Sequence, residues 1–125
     1  MTDEEALDLG RRFAACKGFR PMRGMLDNHG RTWTPDLLWR WTPKVDIPDL
    51  RDPATRGCAL ALVREAWGDP AICVVLDTSD GRWCAGRWED GLAMRGRGGA
   101  TEAEALIAAL EAAPKRGEHR REEER

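Results

Sequence analysis

Asp52-Pro53-Ala54-Thr55-Arg56-Gly57-Cys58-Ala59-Leu60-Ala61-Leu62-Val63-Arg64-Glu65-Ala66-Trp67-Gly68-Asp69-Pro70-Ala71-Ile72-Cys73-Val74-Val75-Leu76 is the stretch whose pattern decides the fold. It opens with Asp52, a strong N-cap, followed by a proline whose missing N–H costs nothing at the first helical position. Leu60, Val63 and Trp67, with Ala59, Leu62 and Ala66 beside them, recur at helical spacing and make a wide apolar face. Gly68-Asp69-Pro70 stops the helix. Ala71 to Leu76 then alternates Ile72, Val74 and Leu76 against Cys73 and Val75. Both faces are apolar, which predicts a central strand covered on both sides.

Downstream, Asp77-Thr78-Ser79-Asp80-Gly81 has the composition of a turn, and Arg82 to Trp88 returns as a strand with Trp83 and Ala85 on one face and Cys84 and Trp88 on the other. The segment 89–99 is glycine-rich and holds a short strand around Leu92 to Met94. Thr101-Glu102-Ala103-Glu104 is a capping box, and the helix after it turns Ala103, Leu106, Ile107 and Leu110 to the core before ending at Pro114. From Lys115 the chain offers no apolar anchor, so 115–125 is expected to be a disordered charged tail.

Upstream, Thr2-Asp3-Glu4-Glu5 is another capping box, opening a helix to about Cys16 with the stripe Ala6, Leu9, Phe13, Cys16. Met22 to Leu26 and Arg31 to Trp33 flank the turn-forming Asp27-Asn28-His29-Gly30 and predict a hairpin. Pro35 interrupts it, leaving Leu37 to Trp41 as a bulged continuation or an edge strand. Pro43 and Pro48 mark 42–52 as a surface connection. The expectation is one α+β domain over 1–114. Its architecture would be a layered α/β/α sandwich with three helices and a mostly antiparallel sheet of about four to five strands. The expected core is Phe13, Leu60, Val63, Trp67, Ile72, Val74, Leu76, Leu106 and Leu110.

With 42% hydrophobic and 34% charged residues, the 125-residue chain has the balance of a globular domain large enough to fold without staples. A formal net charge of −2 supplies no global field to gather a polyanion. No apolar run approaches the roughly 20 residues that span a bilayer, and the acidic N-terminus is unlike a signal peptide, so a cytoplasmic protein without a membrane partner is expected. Cys16, Cys58, Cys73 and Cys84 form no CxxC and sit in apolar periodic segments, as reduced core thiols would.

Catalytic chemistry finds little to work with. The histidines are His29, in a turn, and His119, in the tail, which leaves no evident Cys–His pair. Asp77 and Asp80 fit turn chemistry, and Asp46, Asp49 and Asp52 lie on a loop and a cap, so neither a metal nor a cofactor is expected. Met94-Arg95-Gly96-Arg97-Gly98-Gly99-Ala100-Thr101 precedes a helix as phosphate loops do. It lacks the Gly-Lys-Thr/Ser ending, however, and Glu102 and Glu104 repel an anion.

The remaining feature is an interleaving of arginine and tryptophan. Arg82, Arg87, Trp88, Arg95 and Arg97, with Arg40 and Trp41 nearby, form the candidate binding surface, since tryptophan supplies contact area and arginine supplies planar donors. Competing with this are core tryptophans edged by snorkelling arginines, and a GC-rich codon usage that makes seventeen of the twenty basic residues arginine.

Pro21-Met22-Arg23-Gly24-Met25, Asp52-Pro53-Ala54-Thr55 leading into Leu60-Ala61-Leu62-Val63-Arg64-Glu65-Ala66-Trp67, and Glu102-Ala103-Glu104-Ala105-Leu106 together resemble small uncharacterised phage and prophage proteins, in particular the phage ABA-sandwich group. The resemblance covers roughly residues 20–113 and carries no catalytic residues with it. It implies a phage or prophage accessory protein, not an enzyme, that binds a host or phage protein, including in counter-defence, from the host cytoplasm. The alternative is a module that holds a nucleotide, nucleic acid or other small anion on its arginine and tryptophan surface.

Overall fold

The computed structural model describes residues 1–34, 42, 45–88 and 92–114, with Trp88 and 92–97 described by their strand positions alone. Among these the elements run α1 (Asp3–Ala15), α2 (Pro53–Trp67), β1 (Cys73–Asp77), β2 (Arg82–Trp88), β3 (Leu92–Arg97) and α3 (Glu102–Ala112). Each helix begins where its side-chain cap demands. Thr2 Oγ1 accepts from Glu5 N at 3.1 Å, Asp52 Oδ2 from Thr55 N at 3.0 Å, and Thr101 Oγ1 from Glu104 N at 3.2 Å. Gly68, at φ +62°, closes α2 in the left-handed conformation and donates to the Arg64 and Glu65 carbonyls.

The strands form an antiparallel sheet in the order β1-β2-β3. Cys73 stands opposite Gly86 and Asp77 opposite Arg82, while Cys84 stands opposite Arg97 and Trp88 opposite Leu92. The register shifts between Ala85 and Gly86, whose counterparts are Gly96 and Met94, so Arg95 is the extra residue of a β-bulge.

The expected layered sandwich with four to five strands is therefore overturned. The described sheet has three strands rather than four to five. Helix α3 crosses the sheet in contact with all three strands, and α1 and α2 pack on α3. Nor is β1 central, for among the described residues it pairs with β2 alone. A strand at the margin of a sheet is shielded on one flank only, and Leu76, expected in the core, is 46% exposed. Two further strands expected at Met22 to Leu26 and Arg31 to Trp33 shrink to a tight turn. Trp33 N donates to Met25 O at 2.8 Å and Asp27 N to Arg31 O at 2.9 Å, but Leu26 opposite Thr32 is a lone bridge that joins no sheet. The strand expected over Leu37 to Trp41 and the charged tail at 115–125 lie outside the described residues.

The core is built around α3, whose Ala103, Ala105, Leu106, Ile107, Ala109 and Leu110 are all buried. Phe13 of α1, Leu62 and Val63 of α2, and Ile72 and Ala85 near and within the sheet join it, and so do Met25, Trp33 and Leu50 from the connections. Leu60, Trp67 and Val74, expected inside, are only partly buried against this cluster. Trp67 still clamps two helices, because its Nε1 donates to Ala109 O at 2.9 Å. Gly98 has no room for a side chain, since a Cβ there would come within 2.5 Å of the Ala105 backbone.

Polar groups anchor the long connection to this core. Thr55 Oγ1, fully buried, accepts from Leu26 N at 2.8 Å and donates to Asp52 Oδ2 at 3.0 Å. Arg31 bridges two buried carboxylates, Asp27 at 3.0 Å and Asp46 at 2.8 Å, and so fastens the 27–31 turn to the segment before Ile47.

Two stability outcomes follow from this packing. Leu62→Ala and Leu106→Ala should each cost about 2–5 kcal/mol in denaturant melts, whereas Leu76→Ala should cost less than about 1 kcal/mol. Arg31→Ala strands two buried carboxylates, and with solvent screening of the half-exposed guanidinium the expected loss in the same melts is about 1–3 kcal/mol.

Candidate functional site

β2 carries Arg82, Arg87 and Trp88, three of the seven residues of the expected arginine and tryptophan surface, and strand geometry divides them. Side chains alternate along a strand, so Arg82 and Arg87 lie on opposite faces. Arg87 shares the face of Trp83 and Ala85, which pack on the core, and its Nη1 lies 3.5 Å from Oδ1 of the buried Asp69. Arg82 is exposed where β2 begins, after a turn held by Asp77 and Asp80. Among the described residues the Arg82 side chain makes no ion pair.

The sheet also separates the expected residues along its length. Register places Arg97 near the Arg82 end of the sheet and Trp88 at the other, next to Arg87, with Arg95 in the bulge between. Arg40 and Trp41 lie outside the described residues.

At the Arg82 end the chain builds something the sequence alone does not reveal. Gly98 N donates to Trp83 O at 2.9 Å and Trp83 N to Gly99 O at 3.1 Å, which brings the glycine segment alongside β2. Together with the start of α3 they border a depression of about 350 Å³, lined by Met1, Leu50, Arg51, Arg56, Trp83 and residues 100–103. That is the lower end of the size range of ligand sites.

Electrostatics decide what this hollow suits. Arg51 donates to both oxygens of Asp49 at 3.0 and 3.1 Å and to Asp3 at 2.5 Å, contacts that push its pKa further up. Burial would raise Asp49, but the hydrogen bonds from Arg51 outweigh it and hold that carboxyl below its usual range. Arg56 donates to the Leu50 and Arg51 carbonyls at 3.2 and 2.8 Å, and its Nε lies 3.9 Å from Glu102. The Glu104 carboxylate lies against Gly99, where a Cβ would collide with it. The helix start that might have held an anion already has its own acids close by, and both arginines have partners. What the hollow presents openly is Met1, Ala100 and part of Trp83, with the buried Leu50 and Ala103 beneath them.

Arg51 and Arg56 were not evident as lining residues, because their positions depend on Asp3 and Glu102, far away in sequence. Trp83 was legible as part of the Arg82-Trp83 pair, but its alternation pointed only to the core.

The nucleophile candidates are muted. The four cysteines are unpaired thiols, and Cys84 alone is buried; Cys16, Cys58 and Cys73 are half-buried, a correction to their expected place in the core. Burial, reinforced by Glu111, pushes the Cys16 thiol up to about 11, and burial with Asp52 also raises Cys58. A high pKa means little thiolate, the reactive form. Among the described residues no group of three His, Cys, Asp or Glu side chains is placed to hold a metal ion, and no helix is long and apolar enough to cross a membrane.

No known protein family, curated protein or solved structure matches the chain.

The Cys16 shift sets a pH dependence. A thiol whose pKa is about 11 folded and near 9 unfolded favours the folded state fully below pH 9, and the benefit is lost as pH rises toward 11. Thermal melts of wild type and Cys16→Ala should therefore differ more at pH 8 than at pH 10.5, with the wild type losing ground as alkali is added. An equal difference at both pH values would contradict the shift.

Proposed function

We propose that the protein acts by non-catalytic binding to another protein, and that the contact centres on the depression beside Trp83 at the Arg82 end of the sheet. The observation that supports this is the hollow itself. It is concave, it exposes Met1, Ala100 and part of Trp83, and its two arginines are held by Asp49, Asp3 and backbone carbonyls. An anchoring apolar side chain from a partner fits such a place, and arginines around a sheltered aromatic are frequent energetic anchors of interfaces. Resemblance to phage and prophage proteins favours a host or phage protein as the partner, and counter-defence as the role. The small-anion or nucleotide alternative has less support, because Glu102 and Glu104 occupy the first turn of α3 and Arg51 is already neutralised.

Ala100 is exposed on the wall of the hollow, so a charge introduced there leaves the core intact. The tagged wild type is used to capture a partner from a bacterial lysate, the partner is identified by mass spectrometry, and affinity is then measured with both proteins pure. The Ala100→Glu variant should melt within a few degrees of wild type and bind at least about tenfold more weakly. Unchanged affinity in a folded Ala100→Glu variant would place the contact elsewhere. A thermal shift with inorganic phosphate or ATP that Arg82→Glu abolishes would overturn the protein-binding reading in favour of the small-anion one.

A further inference from the structure

We draw no further inference here: the strongest candidate, the outer flank of β1 with exposed Leu76 and half-buried Cys73 and Val75, offers an apolar strand to a partner, but nothing in the structure shows what covers it.

Discussion

Burial of α3 on nearly every side is the constraint on which the rest of the molecule depends. A helix of eleven residues with six buried cannot be satisfied by one neighbour, so the sheet, α1 and α2 all converge on it. Alanine at 103, 105 and 109 lets those neighbours come close, and glycine at 98 lets the chain leaving β3 pass against the α3 backbone. Size complementarity of this kind carries a penalty on both sides. A larger residue in such a contact forces backbone shifts, and a smaller one at Leu106 or Ile107 leaves a void.

Around this centre the arginines act largely as fasteners between segments distant in sequence. Arg12 grips Glu111 and ties α1 to α3, while Arg20 grips Glu65 and ties the chain after α1 to α2. Arg64 donates to Ile72 O at 2.8 Å and, with Arg87 near Asp69, frames the loop between α2 and β1. Exposed pairs of this kind contribute little individually, and their role is chiefly to choose among arrangements that the apolar core leaves similar in energy. Where Arg31 meets the buried Asp27 and Asp46 the stakes are higher, because those carboxylates have left water.

Local chemistry made much of the fold legible in the sequence. The Thr2, Asp52 and Thr101 caps and the Gly68 stop each act within a few residues, so the helix ends could be read from neighbouring side chains. The hairpin from Cys73 to Trp88 was equally local, with Asp77 and Gly81 forming its turn. What escaped was the arrangement in space. An apolar run such as Cys73–Leu76 looks the same whether two layers cover it or one layer and a margin do, and the choice depends on strand order, which has no local signature. Met25, Trp33, Ile47 and Leu50 were missed as core for a related reason. They lie in loops without periodicity, and they are buried because Asp27, Arg31, Asn28 and Thr55 hold those loops down.

The same distinction governs the candidate site. An arginine-and-tryptophan pattern along one strand looked like one surface, yet the two-residue period of β2 sends Arg82 and Arg87 to opposite faces, and the length of the sheet sets Arg97 apart from Trp88. What gathers instead is a set with no sequence motif in common: Met1 ahead of α1, Leu50 and Arg51 ahead of α2, Trp83 in β2 and Ala100 ahead of α3. Three helix starts meet there because their caps hold them beside the sheet end from which the last one emerges. A surface assembled from helix starts inherits the rigidity of the caps that position it, so the proposed contact would rest on shape rather than on a mobile loop.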